Sequence, residues 1–222
     1  NRGFLPQNVV RYCYRPFDMR WVYWEPETKL LGEKSPDYFP QVQLGNMWIE
    51  ARQRQTLETF DRGTFVTVLA DNFGNGFSSF FPLYLYTTPQ QAQLGLFETE
   101  PQPLSGRRPN LSDQAKAYLA ELGFTPEDGA PFLFYHTLAM LHSPAYRVEN
   151  AGALRQDWPR VPLPQTRNAL EASAALGQQV AALLDVETPV PGVTQGNPLL
   201  ELRSIGMLTS TSGGAPDFTI NV

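Results

Sequence analysis

Residues 132–164 constrain the fold of this chain more than any other stretch. Apolar residues at helical spacing run up to Ser143-Pro144, where the proline can begin a second helix but cannot continue the first. Further on, Pro159 and Pro162 lack a backbone N–H and have a fixed φ, so the second helix must end before them. The stretch therefore predicts a helix, a sharp corner, a second helix and then an extended segment, placed along a sheet edge.

Start and stop signals define further helices. Thr125 can cap the first helix of this stretch, with Pro126 at its first helical position. Ser112 and Gly123 predict the two ends of a shorter helix before it, and a last helix is predicted for residues 166–184. The residues expected to be buried on the two longer helices are Phe134, Leu138, Leu141, Leu170, Leu176, Val180 and Leu184.

Apolar patterns and turn signals predict strands in the rest of the chain. The predicted strands cover residues 20–24, 64–69, 80–86, 200–208 and 218–222, and residues 47–54 are a further predicted strand that leads into a polar arm. Asn75-Gly76 is a hairpin signal within the turn cluster 71–76, so residues 64–69 and 80–86 are expected to pair. Pro82 restricts the second of these strands to an edge or a bulge.

These elements predict an α+β fold, with a twisted mixed or mostly antiparallel sheet and packed helices. The 222 residues, 42% of them hydrophobic, are enough for one large domain or two small ones. Residues 88–110 are rich in Pro, Gln and Gly and are the best candidate for an internal boundary. Cys13 is the single cysteine, which excludes an internal disulfide and is typical of a reduced, intracellular setting.

Several segments of the chain resemble one family of DNA-modifying enzymes. The segments are HSPAYRVENAGALRQDWPRVPLP, YRPFDMRWVYWEPETKLL, NMWIEARQRQ and FFPLYLY. They are similar to the C-terminal specificity domain of the type ISP restriction-modification family, and the resemblance spans roughly residues 11–205.

The resemblance implies a function and a set of partners. Type ISP enzymes are single long chains that join a nuclease, a helicase-like ATPase, an adenine-specific methyltransferase and a C-terminal target-recognition domain. This chain resembles the last part, so we expect a fragment that recognises double-stranded DNA beside a methyltransferase domain of the same chain, in the cytoplasm. AdoMet, ATP and Mg are then expected on other domains, with no cofactor here.

The charge of the chain does not by itself indicate nucleic-acid binding. The formal net charge is −5, but only three of the 17 basic residues are Lys and the rest are Arg. The planar fork of Arg suits guanine edges and phosphates. Genome composition is an equally good explanation of the Arg usage.

Some polar residues in predicted loops and turns are candidates for contact with DNA. The segment 52–54 follows a predicted strand and has no apolar residue, which suits base or phosphate contact as well as a solvated loop. The hairpin tip at 71–76 could enter a groove, although an ordinary exposed turn is the more common case. The candidate DNA-binding residues are Arg52, Gln53, Arg54, Asn72, Asn75, Arg107 and Arg108.

Aromatic residues are dense near the start of the chain. They are Tyr12, Tyr14, Phe17, Trp21, Tyr23 and Trp24. Aromatic side chains can stack on bases, but more often they build a core with the Tyr hydroxyls at its margin.

No catalytic or metal-binding pattern is found in the sequence. The Asn/Asp-Pro-Pro-Tyr/Phe motif of adenine methyltransferases and the Gly-rich phosphate loop of ATPases do not occur. His136 and His142 lie six positions apart on one predicted helix, which makes them poor joint metal ligands. The sequence therefore predicts a non-catalytic module, and the alternative to DNA recognition is a scaffold that docks the methyltransferase to the motor domains.

The predicted corner gives a first testable prediction. Replacing the cap in Ser143→Ala should lower the free energy of unfolding by about 1 kcal/mol. The methylation pattern of the full enzyme should stay the same, because the corner serves stability. A changed recognition sequence in this variant would show instead that the corner contacts DNA.

Overall fold

A computed structural model describes residues 3–25, 39–54, 63–70, 78–86, 106–197, 200, 205–210 and 216–221. The chain divides into two units, Asn1–Asp185 and Val186–Val222. The described helices are α1 (Asp113–Glu121), α2 (Pro126–His142), α3 (Pro144–Glu149), α4 (Ala151–Leu154) and α5 (Arg167–Leu184). The described strands are β1 (Val9–Arg15), β2 (Asp18–Tyr23), β3 (Trp48–Ala51), β4 (Phe65–Val66), β5 (Leu69–Ala70), β6 (Ser79–Pro82), β7 (Tyr84–Tyr86), β8 (Arg107–Pro109), β9 (Ile205–Ser210) and β10 (Pro216–Asn221).

The α+β prediction is confirmed, with the described strands grouped in small sheets. Their orders are β2-β1-β5, β4-β3-β6, β7-β8 and β10-β9. Strands β1 and β5 pair in parallel, and the other pairs are antiparallel. The strands predicted near residues 200–208 and 218–222 are β9 and β10, which form the sheet of the second unit.

The predicted hairpin between residues 64–69 and 80–86 is wrong. Strand β3 lies between β4 and β6, so Ile49 pairs with Phe65 on one side and Phe81 on the other. Residues 67 and 68 form a bend, after which β5 pairs with β1 in another sheet. The expected edge position of Pro82 is correct, because β6 is an edge strand. The turn cluster 71–76 and most of the connection 88–110 lie outside the described residues.

Strand β3 is buried on both faces. Successive side chains of a strand point in opposite directions. Trp48 accordingly packs in one cluster with Cys13, Val66 and Phe80, while Ile49 packs in another with helical residues such as Leu138. Strand β3 therefore lies between the β2-β1-β5 sheet and the helices.

Two residues with titratable groups, Glu50 of β3 and Cys13 of β1, are buried. Glu50 is fully buried, and one of its carboxylate oxygens accepts a hydrogen bond from the Thr64 N–H at 3.3 Å. Burial, with a smaller contribution from the negative charge of Glu50, raises the pKa of the Cys13 thiol to about 11. Cys13 therefore stays protonated at neutral pH and acts as a small core residue.

The predicted caps Ser112, Thr125 and Ser143 are confirmed. Each accepts a hydrogen bond from a backbone N–H in the first turn of the following helix, and Thr166, predicted as the first residue of the last helix, is its cap. Ser143 both ends α2 and caps α3, where its Oγ accepts from the Tyr146 N–H at 3.3 Å. Gly123 follows α1 with a φ of 78°, which suits glycine.

Helices α2 and α5 pack closely through small residues. The buried positions of α5 are Leu170, Ala174, Gly177 and Ala181. A Cβ at Gly177 would lie 1.8 Å from the Tyr135 carbonyl oxygen, so no larger residue fits there. Because this small-residue face meets α2, the predicted burial of Leu176 is wrong, and its side chain is 58% exposed.

The α2–α5 contact predicts that Gly177→Ala lowers the free energy of unfolding by about 3 kcal/mol, because the backbone of α2 must move. Gly152→Ala is a matched control: its Cβ would meet no atom within 4 Å. That change should be neutral or stabilising by about 0.5–1 kcal/mol. Urea denaturation measures both, and equal stability of the two variants would contradict the close approach.

Candidate nucleic-acid interface

Residues 158–164, which we call the strap, are bound by side chains of three helices. The Tyr146 hydroxyl of α3 donates to the Arg160 carbonyl at 3.1 Å. His136 Nε2 of α2 contacts the Pro162 carbonyl at 2.8 Å, and the Tyr118 hydroxyl of α1 donates to the Pro164 carbonyl at 2.8 Å. The carbonyls of alternate strap residues therefore face the helices.

The prolines explain this arrangement. Pro159, Pro162 and Pro164 have no N–H to donate to a neighbouring strand, while their carbonyls still need donors. The strap backbone pairs with none of the described strands. Arg160 and Leu163 are exposed on the strap.

His136 is the buried member of the group that holds the strap. Its Nε2 must carry the proton, since the Pro162 carbonyl can only accept. Its Nδ1 then accepts from the Ser173 hydroxyl of α5 at 2.7 Å. Burial lowers the pKa of His136, against a smaller opposing effect of the hydrogen bond to Pro162. His142 is bound in a similar way, because its Nε2 contacts the Gly63 carbonyl at 2.8 Å.

Asp157 joins the start of the strap to the end of β3. Its carboxylate accepts from the Trp158 N–H at 2.8 Å, from Arg160 Nη2 at 3.4 Å and from the Gln53 side chain. These donors, with the Trp158 N–H first, lower the pKa of Asp157. The Trp158 ring also meets the edge of the Phe81 ring on β6, with ring centroids 5.6 Å apart.

The predicted polar segment 52–54 lies directly after β3 and beside the strap. Gln53 and Arg54 are exposed and Arg52 is half-buried. Because the Gln53 amide is bound to Asp157, Gln53 positions the strap. We call Arg52, Gln53, Arg54, Asp157, Trp158 and Arg160 the β3-end surface. Sequence patterns gave no sign that Trp158 and Arg160 belong to it, because they lie about a hundred positions away.

The other predicted residues lie elsewhere. Arg107 and Arg108 are exposed on β8, and the Arg107 guanidinium lies over the Tyr84 ring, 4.2 Å from its centroid. In the described part of the chain, no hydrogen bond or ion pair connects them to the β3-end surface. Asn72 and Asn75 fall outside the described residues.

Two buried amides, Gln41 and Asn46, hold the free edge of β7. The Tyr84 N–H donates to Asn46 Oδ1 at 3.1 Å and the Tyr86 N–H donates to Gln41 Oε1 at 2.6 Å. In return, Asn46 Nδ2 donates to the Tyr84 carbonyl at 3.0 Å and Gln41 Nε2 donates to the Tyr86 carbonyl at 3.3 Å. The amides thus replace a neighbouring strand and fix the sheet that carries Arg107 and Arg108.

A further group of Arg and aromatic residues lies on the β1–β2 hairpin. Arg11 stacks over the Trp21 ring at 5.0 Å, and Arg20 over the Tyr14 ring at 4.3 Å. Arg20 also makes two hydrogen bonds to the Asp18 carboxylate, at 2.9 and 2.6 Å, which lower the pKa of Asp18. Trp21 is 65% exposed, so the core interpretation of these aromatics does not hold for it.

The fold and these Arg-rich surfaces define an α+β module with exposed groups suited to polar recognition. A family model, described as the type ISP C-terminal specificity domain, matches residues 1–198. The chain belongs to this family. No curated protein matches the chain.

Solved structures agree with this fold. A cryoEM structure of a DrdV–DNA complex is 24% identical, has a TM-score of 0.59, and is matched over 82% of this chain and 16% of that chain. The type ISP restriction-modification enzyme LlaBIII bound to DNA is 17% identical, with a TM-score of 0.51 over 82% of this chain and 11% of that chain. The chain thus spans under a fifth of the length of these proteins.

Within the ranges given above, none of the helices has the length and apolar character needed to cross a membrane.

The burial of His136 predicts how stability depends on pH. The unfolded chain takes up a proton near the ordinary pKa of 6.5, whereas the folded pKa is lower, so stability should fall as the pH drops below about 6.5. In His136→Gln the fall in Tm between about pH 7 and pH 5 should be smaller, although His142 still contributes to it. An unchanged slope in thermal melts would show that the pKa of His136 is the same in the folded and the unfolded protein.

Proposed function

We propose that this chain reads DNA sequence as the specificity domain of a restriction-modification enzyme. Family membership supports the proposal, and the similar DrdV and LlaBIII structures are of proteins in complex with DNA. The observation that carries it is the β3-end surface, where Arg52 and Arg54 directly follow β3 and Arg160 pairs with Asp157 beside Gln53.

The charge of this surface favours a polyanion. The β3-end surface contains three arginines, Arg52, Arg54 and Arg160, and one carboxylate, Asp157, in a chain whose net charge is −5. Guanidinium groups bind phosphate oxygens and guanine edges through paired hydrogen bonds. Phosphate contacts would fix the position of the domain on the duplex, and base contacts would set the sequence it accepts.

Each element of the β3-end surface has a role in this proposal. Arg52 and Arg54 contact the groove, because β3 is fixed on both faces and gives them a rigid base. Gln53 lies beside Asp157, and Asp157 pairs with Arg160. Trp158, braced against Phe81, borders the surface and offers a face on which a base or sugar can pack.

The rest of the enzyme completes the reaction. We propose that an adjacent domain flips and methylates an adenine chosen by this chain, and that nuclease and motor domains act on unmodified DNA. AdoMet, ATP and Mg would bind on those domains. A cytoplasmic location follows from this role.

One observation favours the alternative of a docking scaffold. Leu176 and Leu183 of α5 are 58% and 53% exposed and lie seven positions apart, on one face of the helix. Exposed apolar residues on one face are typical of a protein contact. In this alternative α5 holds the methyltransferase against the motor domains, and the domain contributes little to DNA binding.

The double variant Arg52→Ala, Arg54→Ala tests the proposed function. If these residues contact phosphates, affinity for all duplexes should fall and the salt slope should drop by about one unit per contact. If one reads a base, affinity for the recognised sequence should fall by about 1–3 kcal/mol with relaxed choice at one position. Binding of the protein to matched and single-mismatch duplexes at several salt concentrations separates these results.

A charge-matched control is Arg52→Lys, Arg54→Lys. Lysine keeps the charge but loses the fork, so this variant should keep the salt slope and lose discrimination between sequences. Unchanged affinity and salt slope in the alanine variant would contradict a DNA role for the β3-end surface and favour the scaffold.

A further inference from the structure

Phe17 has a strained backbone at the tip of the β1–β2 hairpin. Its φ is 66°, in the left-handed region where a side chain with a Cβ is disfavoured. The turn places Pro16 before it, and a positive φ after such a proline is normally taken by Gly or Asn. A phenylalanine here is therefore the costly choice for the fold.

The fold makes little use of the Phe17 ring. The side chain is 62% exposed, although the strands that carry it are firmly anchored. Cys13 and Met19 pair across the two strands and pack in the core, and Arg15 pairs with Asp18 to close the turn. The ring is thus presented to the surroundings on a short, rigid support.

Two arginines lie near Phe17 along the hairpin, Arg15 at the end of β1 and Arg20 in β2. Arg15 and Arg20 lie over the Tyr14 ring at 5.1 and 4.3 Å from its centroid, and the Asp18 carboxylate fixes the Arg20 guanidinium. Aromatic and Arg side chains occur together both at protein–protein contacts and on surfaces that bind nucleic acid. An exposed aromatic tip with arginines nearby in the hairpin suits a ligand that combines stacked rings with phosphates, and the proposed DNA function selects this ligand over a protein.

We infer that Phe17 is a wedge that enters between base pairs of duplex DNA, while Arg15 and Arg20 contact the flanking phosphates. Apolar side chains act in this way in proteins that bend DNA, at the cost of unstacking one base step. This inference rests on the proposed DNA function, but it concerns a different surface from the β3-end surface.

The variant Phe17→Asn separates the ring from the backbone. Asn accepts a positive φ more readily, so Tm should be unchanged or higher. Affinity for a duplex should fall about tenfold through loss of stacking.

A mismatched duplex gives a second test. The wild-type protein should bind a duplex with one mismatched pair more tightly than the same sequence fully paired, because stacking is already weakened at the mismatch. This preference should vanish in the variant. Leu44→Asn is the matched control, because Leu44 is also an exposed apolar residue. This change should alter neither the affinity for the duplex nor the preference for the mismatched one.

Other results would overturn the inference. If Phe17→Asn has the same DNA affinity and mismatch preference as the wild-type protein, Phe17 is not a wedge. The proposed function would still stand if the Arg52 and Arg54 variants weaken DNA binding. A lower Tm would show that the ring belongs to the core. Unchanged DNA binding with weaker association to a methyltransferase domain would make the tip a protein contact. A wild-type protein that binds no duplex at low salt would overturn both this inference and the proposed function.

Discussion

The burial of β3 on both faces is the constraint on which the rest of the first unit depends. Trp48 and Ile49 point to opposite sides and each joins a separate hydrophobic cluster, so both neighbouring strands and both covering layers are arranged around this strand. The strand ends where the apolar residues end, at Ala51. The polar segment that follows therefore emerges at a fixed place and in a fixed direction, which a recognition surface requires.

Side-chain hydrogen bonds replace strand pairing at two places near the candidate surfaces. Tyr146, His136 and Tyr118 bind alternate carbonyls of the strap, and Gln41 and Asn46 bind alternate residues of β7. Backbone N–H and carbonyl groups need hydrogen-bond partners wherever water is excluded. Prolines or irregular backbone prevent these segments from forming the regular hydrogen bonds of a β-sheet. The result is that exposed Arg residues are carried by irregular segments that are nonetheless held at several points.

The arginines of this acidic chain are distributed in local groups with aromatic or carboxylate partners. Arg107 stacks on Tyr84, Arg20 on Tyr14 and Arg160 pairs with Asp157. Such partners restrict the planar guanidinium to one orientation and lower the entropy lost when it binds a ligand. A negative overall charge weakens non-specific attraction to nucleic acid. The choice of partner therefore depends more on the positions of individual side chains than on net charge.

The sequence by itself determined the features that depend on neighbours three or four residues away. The caps at Thr125 and Ser143 and the glycine stop after α1 were all predicted, since a cap or a proline acts within a single turn. Only the tertiary structure decided which segments meet. The hairpin prediction failed because β3, from a distant part of the chain, forms the better-buried partner of both strands. Leu176 is exposed because the backbone of α2 needs the space above Gly177, and Gln53 meets Asp157 because three helices hold the strap beside β3. Such contacts depend on burial and close packing between distant segments, which a local pattern does not record.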